Sequence, residues 1–442
     1  MDEYTLGINI SGYINSEFGL GEAVRSSIRS IEVAGIPYVL NNFDLNQHRK
    51  EDKTHSNFTD KNPYPVNLIL INPDMLGEFV KFRQSSYFQG KYNIGYWFWE
   101  LNNFPKEWIK FFDLFDEIWT GSKYSMDAIS KSSTIPTLTV PCSIKLDLAS
   151  KEPEFIQNFE NKYVFLYVFD FASSFQRKNP DKVIRAFLNT FQGNNDAVLV
   201  VKFSNSKQSS EKKVLLNNLI NSHTNIYVID DYLHRPDLLS LFQRADCYVS
   251  LHAAEGFGLT MAESMFLEKP VIATAYSANM DFMNVNNSFL VKYNLVEIKE
   301  TDGLYVKGEL WAEPDEKHCS ELMRYVYENQ EKAKEAGKQA KLDIIRNFSD
   351  HTVGNLIKKR LKRIEEMTDN FTAISKEDRS KYKIVNAYGM LHDLHVKNGA
   401  LMEQRDVFHI ELQTIRLSVV WRIRNLFITI LNKLKLTQKT SL

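Results

Sequence analysis

Short runs of β-branched and aromatic residues alternate with stretches of helical periodicity through the first third of the chain. Runs that are apolar throughout are typical of strands buried on both faces. Such strands are predicted at 4–10, 66–71, 92–97, 117–120 and 137–140, and helices at 21–33, 107–114 and 124–131. The alternation of strand and helix predicts a parallel sheet covered by helices on both faces.

A polar segment at 146–162 interrupts this alternation, which then begins again. The second series predicts strands at 163–169, 197–203, 225–229, 247–251, 270–273 and 289–292, and helices at 180–191, 211–220, 236–244 and 259–267. The economical interpretation is a second doubly wound domain. Two such domains form a cleft at the carboxyl ends of their strands, where α/β proteins usually bind ligands.

The rest of the chain has a helical pattern, with amphipathic helices predicted at 320–347 and 353–367 and a helical region at 379–436. The segment 311–315 is predicted to be a structural turn. The predicted fold class is therefore α/β, with two Rossmann-like domains facing across a cleft and a helical C-terminal extension. The boundaries are 1–145 and 163–345 for the domains, 146–162 for the linker, 346–370 for a helix that returns to the N-terminal domain, and 371–442 for the tail.

Composition narrows the class of function. The chain has 442 residues, which is too long for one ordinary core, and it is 43% apolar and 25% charged, as expected of a soluble globular protein. A formal net charge of -1 disfavours a nucleic-acid partner. The acidic start lacks the features of a signal peptide, and no apolar run is long enough to span a membrane. We therefore expect a cytoplasmic protein, and reduced thiols at its three cysteines.

The most informative motif joins a predicted strand to a predicted helix at 251–263. Gly256 and Gly258 let the backbone approach a ligand closely, and the helix start near Leu259 offers unpaired N–H groups to a diphosphate. Glu255 lies before the helix and Glu263 about one turn inside it, so the two carboxylates can address opposite ends of one ligand. The alternative is that Glu255 is an ordinary turn acid and Glu263 part of a solvated helix face.

This motif resembles the signature of retaining GT-B glycosyltransferases of family GT4 (glycosyl transferases group 1), and the following 269–274 is similar to the family's next strand. The resemblance covers roughly 5–365 and is closest at 163–315. It implies that Glu255 contacts the donor sugar and that Glu263 binds the ribose. It also implies that backbone amides hold the sugar and phosphate, at Gly256, Phe257, Gly258, Leu259 and Thr260.

A basic pair stands at the end of another predicted strand. Arg177 and Lys178 precede a helix that starts at Pro180, and they can neutralise a diphosphate leaving group. The family usually has an arginine about five residues before the lysine, where this chain has Ser173, so Arg177 is the predicted substitute. Lys202, at the end of the next strand, is a further candidate. The alternative is that the pair is a solvated helix start.

Other candidates come from the N-terminal domain and the motif itself. Gly19 and Gly21 lie in a strand–loop–helix segment that resembles the family's loop near the donor phosphate and the acceptor. Glu100 follows the aromatic run 95–99, and a charge after so apolar a run usually has a partner. His252 is a candidate for the sugar, although a lone histidine is more often structural.

The tail ends in a basic amphipathic pattern at 415–436. Apolar residues share one helical face, basic residues accompany them, and no acid follows Glu411. This pattern fits attachment to an anionic inner membrane surface. It fits equally well the docking of an apolar face on the enzyme itself or on a partner protein.

The resemblance implies transfer of a sugar from a nucleotide diphosphate to a glycan or lipid-linked glycan, with retention of the anomeric configuration. GDP-mannose heads the predicted donors, before UDP- and dTDP-sugars, and synthesis of a bacterial surface polysaccharide such as O-antigen or capsule is the predicted setting. The sequence has no acidic cluster suited to a metal held between protein and phosphates, so we predict no metal and no cofactor. The alternatives are a nucleotide-sugar epimerase of the same fold and an inactive scaffold subunit.

Overall fold

The computed structural model describes residues 6–45, 48–148, 153–221 and 223–371. Its first half is a six-stranded parallel sheet with the strand order β2-β1-β3-β4-β5-β6. The strands are β1 (Ile8–Gly12), β2 (Tyr38–Asn42), β3 (Val66–Leu70), β4 (Tyr92–Trp97), β5 (Glu117–Thr120) and β6 (Thr137–Thr139). The helices are α1 (Gly19–Val33), α2 (Pro73–Arg83) and α3 (Lys123–Ser130), with 3-10 helices at Ser85–Tyr87 and Lys106–Leu114.

The second half contains another six-stranded parallel sheet, with the order β12-β11-β10-β7-β8-β9. Its strands are β7 (Tyr163–Asp170), β8 (Ala197–Ser204), β9 (Ile226–Asp230), β10 (Cys247–Ser250), β11 (Val271–Thr274) and β12 (Phe289–Val291). Its helices are α4 (Phe175–Lys178), α5 (Pro180–Phe191), α6 (Ser210–Ile220), α7 (Arg235–Arg244) and α8 (Leu259–Phe266), with 3-10 helices at Glu154–Phe159, Ser206–Gln208 and Ala278–Asp281.

An antiparallel pair, β13 (Tyr293–Glu297) and β14 (Leu310–Pro314), follows the second sheet and belongs to neither. The helices α9 (Glu316–Glu328), α10 (Gln330–Phe348) and α11 (Asp350–Phe371) come next. Helix α11 lies against α1 of the first half, where the Lys358 ammonium donates to the Ala34 carbonyl at 3.1 Å. Arg360 also pairs with the fully buried Glu117 of β5.

The order of both sheets places a topological switch point beside their first strands. In the second sheet, β7 pairs with β8 on one side and with β10 on the other, so the loops that follow β7 and β10 leave the sheet in opposite directions. In the first sheet, β1 is flanked by β2 and β3 in the same way. Ligands of open α/β sheets bind at such points, so the loops after these strands are the expected ligand site in both sheets.

Two predictions about local structure need correction, and two elements were missed. The segment 311–315 is not a turn, because Trp311 and its neighbours form β14 and pair with β13 in register. The helix predicted at 320–347 is two helices, which meet at Asn329 outside the helical region with φ -124° and ψ 52°. Strand β2 and helix α2 were not predicted, since their mixed polar and apolar patterns give a weak periodic signal.

Within the described residues, no helix is both long enough and apolar enough to cross a membrane. The predicted helical region 379–436, including the basic segment 415–436, lies outside the described residues.

Candidate active site at the interface of the two sheets

At the switch point of the second sheet, hydrogen bonds connect the segment after β7 to the loop after β10. The backbone N–H of Ala253 donates to the carbonyl of Arg177 at 2.7 Å. Asn179 adopts a left-handed conformation (φ 51°) between α4 and α5, and its side-chain amide donates to the Leu251 carbonyl at 2.9 Å. These bonds hold the basic pair beside the Glu255 turn, although almost eighty residues separate them in sequence.

Glu255 lies between the two cations. Lys178 donates a hydrogen bond to its carboxylate, and the Arg177 Nη1 lies 3.3 Å from the same Oε1. Arg177 Nη1 also donates to the Ala254 carbonyl at 2.9 Å. Arg177 is 5% exposed, whereas the Lys178 side chain is 21% exposed. Arg177 therefore contacts the turn from its buried side, and Lys178 is the more accessible of the two cations.

The charges of Glu255, Lys178 and Arg177 stabilise one another. Burial alone would raise the pKa of Glu255, but Lys178 and Arg177 lower it to about 2. Burial lowers the pKa of Lys178, and Glu255 opposes that effect. Burial also acts to lower the pKa of Arg177, but Tyr305, Glu255 and Glu100 together raise it above its usual range. At neutral pH Glu255 is thus an ionised carboxylate.

The glycine turn ends at the start of α8. Gly258 has φ 94°, a conformation that favours glycine, and it is the residue that precedes the helix. Among the described residues, no hydrogen-bond acceptor is found for the backbone N–H groups of the turn from Gly256 to Thr260. Unpaired N–H groups at a helix start form a seat for an anion, and the helix dipole adds to it.

The first half closes over the same turn. The Ser122 hydroxyl donates to the Gly256 carbonyl at 2.8 Å, from the start of α3. A Cβ at Gly256 would lie 3.4 Å from Phe98 and 3.7 Å from the Glu100 Cγ, so the segment after β4 and the turn are in close approach. The Glu100 carboxylate is 4.0 Å from Arg177 Nη2. The structure thus brings Glu100, Arg177, Lys178 and Glu255 into one group.

Glu263 lies apart from that group, one turn inside α8. It is 5% exposed and accepts a hydrogen bond from Arg235, the first residue of α7. Burial acts to lower the pKa of Arg235, but Glu263 and then Glu22 of α1 raise it above its usual range. The two glutamates of the motif therefore have separate cationic partners on different elements.

The N-terminal glycines differ in their surroundings. A Cβ at Gly19 would have open space around it, at the beginning of α1. A Cβ at Gly21 would lie 2.0 Å from the Ser16 carbonyl oxygen, so Gly21 is required for the packing of the loop onto its own helix. Gly19 remains a candidate for ligand contact, whereas the close packing at Gly21 is sufficient to explain why that position is a glycine.

Three other predicted donor-binding residues have buried side chains. Phe257 packs against Phe282 and Phe348 with ring centroids 5.6 and 6.1 Å away, so only its backbone can face a ligand. The fully buried His252 is hydrogen-bonded through both ring nitrogens, to the Ser250 hydroxyl and to Asn279, which matches its structural alternative. Lys202 is 6% exposed, and burial lowers the pKa of its ammonium group.

Sequence reasoning missed two residues that the structure adds to the site. Arg235 lies in a helix start, and no motif marked it as the partner of Glu263. Tyr305 lies in the loop between β13 and β14, with its ring centroid 5.5 Å from the Arg177 guanidinium. No sequence motif covers its segment, because a single sequence shows no spacing signal for it. Within the described ranges, no group of three or more His, Cys, Asp or Glu residues could hold a metal ion.

Part of the chain resembles known proteins in sequence. Residues 150–343 match the model of the family glycosyl transferases group 1. The trehalose synthases of Thermococcus litoralis and Pyrococcus furiosus are each 31% identical to the chain over 134 residues. The match covers 30% of this chain and 26% of each relative, so the chain spans about a quarter of the length of these relatives.

Solved structures resemble the chain over most of its length. Anabaena Alr3699/HepE, in complex with UDP and glucose, matches with a TM-score of 0.57 and 14% identity, covering 81% of this chain and 100% of that one. Sucrose-phosphate synthase of Thermosynechococcus elongatus matches with a TM-score of 0.58 and 12% identity, covering 82% and 100%. The predicted fold is thereby confirmed: two Rossmann-like sheets in the GT-B arrangement, followed by C-terminal helices.

Proposed function

We propose that this protein is a glycosyltransferase that moves a sugar from a nucleotide diphosphate to a hydroxyl acceptor in the cleft between the two sheets. The observation that carries this proposal is the arrangement of Glu255 and Lys178 beside the unpaired amides of the α8 start. The family match over 150–343 supports the same class of reaction.

The reaction breaks the bond between the anomeric carbon and the donor phosphate, and the acceptor oxygen forms the new bond. The departing diphosphate gains negative charge, which the α8 start and Lys178 would stabilise. Glu255 would hold Lys178 and accept hydrogen bonds from the sugar hydroxyls. Glu263 would accept from the ribose hydroxyls through Oε2, because Arg235 is bonded to Oε1.

Arg177 has a different part in this proposal from the one predicted. Its guanidinium points at the Ala254 carbonyl, Glu255 and Glu100, and all three lie within 4.0 Å. We therefore assign it to holding the two acids in place, and Lys178 to the diphosphate. This division follows from burial, because a cation with 5% exposure is poorly placed to follow a leaving group.

We further propose retention of configuration without a protein nucleophile. In this scheme a phosphate oxygen of the donor takes the proton of the acceptor hydroxyl on the same face of the sugar, so the protons balance within the substrates. The protein supplies positioning and charge stabilisation. Stabilisation by a helix start and a lysine requires no divalent metal, so we propose metal-independent catalysis.

The donor is proposed to be a nucleoside-diphosphate sugar. GDP-mannose heads the donors suggested by the family resemblance, and the likeness to a structure that holds UDP-glucose makes UDP-glucose the second donor to test. We propose a glycan or lipid-linked glycan of a bacterial surface polysaccharide as the acceptor. The basic segment 415–436 would bring the enzyme to the inner membrane surface or to a partner.

The test is a donor screen with EDTA present. The full chain is incubated with GDP-, UDP- and dTDP-sugars, release of nucleoside diphosphate is measured, and donor binding is followed by thermal shift. Glu263→Ala is compared with Glu331→Ala, a control at a glutamate whose side chain is 87% exposed. We expect one donor to be cleaved, Glu263→Ala to abolish its cleavage, and Glu331→Ala to behave as wild type.

Three other outcomes would contradict different parts of the proposal. A free, epimerised nucleotide sugar would identify the epimerase alternative, because no sugar has been transferred. If no donor is cleaved and none raises the melting temperature, the enzyme interpretation is wrong and the scaffold alternative takes its place. Cleavage that disappears with EDTA and returns with a divalent metal would refute metal independence alone.

A further inference from the structure

The β13–β14 hairpin spans the two halves of the molecule beside the candidate site. Its base is bound to the second half, where the Ala312 N–H donates to the Ala253 carbonyl at 2.9 Å, and Glu313 pairs with Lys182 of α5. Its loop reaches the first half, where the Asn103 amide donates to the Glu309 carboxylate at 2.7 Å. The hairpin therefore links the Glu255 turn to the segment that carries Glu100.

Tyr305 is the point at which this loop meets the charged group. A tight turn holds it, with Asp302 and Tyr305 exchanging backbone hydrogen bonds of 3.0 and 3.1 Å. Its ring stacks on Trp99 with centroids 6.1 Å apart and planes at 20°. The same ring lies 5.5 Å from the Arg177 guanidinium carbon, within the range of a cation–π contact.

The surroundings of Arg177 explain why such a contact matters. Its Nη1 is directed at the Ala254 carbonyl and Glu255, its Nη2 is 4.0 Å from Glu100, and its buried Nε has no acceptor among the described residues. Hydrogen bonds therefore hold the guanidinium mainly through Nη1, and packing holds the side formed by Nε and Nη2. An aromatic ring packed near it restricts the alternative rotamers. Burial raises the pKa of the Tyr305 phenol, the Arg177 cation opposes that effect, and the Glu100 carboxylate adds to it.

We infer that Tyr305 is a positioning residue of the reaction: through its ring, the hairpin fixes Arg177 and thereby the spacing of Glu100 and Glu255 across the cleft. The inference rests on the proposed function. It assigns a role to a segment outside both sheets, and it makes turnover depend on the contact between the hairpin loop and the first half. Substrate binding at the α8 start does not depend on that contact.

The experiment compares four variants of the full chain with wild type. Tyr305→Leu removes the ring and Tyr305→Phe keeps it. Asn103→Ala removes the hydrogen bond from Asn103 to Glu309 that holds the hairpin loop, and it changes none of the charged residues of the site. Val306→Ala is the control, since Val306 is adjacent and 50% exposed. The first readout is kcat and donor KM with the donor that wild type cleaves. The second is hydrogen exchange of backbone amides at 251–258 and 98–103, which needs no activity.

Tyr305→Leu should lower kcat about tenfold or more, because small displacements of reacting groups are costly, while donor KM changes less than about twofold. Tyr305→Phe should stay within about threefold of wild type, and Asn103→Ala should lower kcat in the same sense as Tyr305→Leu. In Tyr305→Leu, exchange should rise at both segments, and Val306→Ala should match wild type in all readouts.

Wild-type kcat and unchanged exchange in Tyr305→Leu would overturn the inference, as would a rise in donor KM with kcat unchanged. If Tyr305→Leu does not fold, Asn103→Ala decides: wild-type kcat and exchange in that variant refute the role of the loop. If wild type itself cleaves no donor, the proposed function fails, and the exchange measurement still tests whether Tyr305 holds the two segments.

Discussion

Replacement of Glu255 by glutamine tests the central electrostatic claim. The substitution keeps the shape of the side chain and removes the charge that faces Lys178 and Arg177. In the folded protein these cations lower the pKa of Glu255 from 4.5 to about 2, although burial opposes them. At about 1.36 kcal/mol per pKa unit, the ionised carboxylate stabilises the fold by roughly 3 kcal/mol at pH 7.

The sign of the pH dependence follows from the lowered pKa. A carboxyl whose pKa is lower in the folded state stabilises the protein above its unfolded pKa, and this contribution is lost as the pH falls towards 2. The difference in unfolding free energy between wild type and Glu255→Gln should therefore narrow from about 3 kcal/mol at pH 7 to about 2 kcal/mol at pH 3.5.

Urea denaturation at the two pH values measures this difference, and Glu331→Ala serves as the exposed control. Donor cleavage by the same variant should fall by about a hundredfold or more, as when one preorganised electrostatic group is removed from an active site. A loss of stability below about 1 kcal/mol that does not change with pH would show that Glu255 is not compensated by its two cations.

Three further predictions concern the fold that holds the site. Arg360→Leu leaves the buried Glu117 carboxylate without its cation and should cost about 3–5 kcal/mol in urea unfolding, whereas Arg363→Leu, at a side chain 68% exposed, should cost little. Gly258→Ala forces a side chain onto φ 94° and should lower stability by about 1–3 kcal/mol and slow donor cleavage; an unchanged melting temperature would contradict this. Burial raises the pKa of Asp281 to about 6, so its ionised form is disfavoured in the folded state, and Asp281→Asn should raise the melting temperature above pH 6 but not near pH 4.

The sequence alone determined the architecture and the main motif. Apolar runs that alternate with helical periodicity are local properties, and they were sufficient for the second parallel sheet, for five of the six strands of the first, and for the strand–turn–helix around Glu255. Lys178 was found for the same reason, since it follows a buried strand and precedes a proline-started helix. Elements with weak periodicity, such as β2 and α2, were missed because their positions are decided by packing rather than by their own pattern.

Only the tertiary structure decided which of these residues act together. Glu255 meets Lys178 because β7 and β10 are neighbours in the second sheet, and a strand order is a long-range property that no local spacing contains. Arg235 and Tyr305 join the site from a helix start and a hairpin loop, whose positions depend on packing between distant segments. Burial, too, is a property of the fold: Arg177 is 5% exposed and the Lys178 side chain 21%, and this difference is the basis of the proposal that Arg177 supports the turn while Lys178 contacts the ligand.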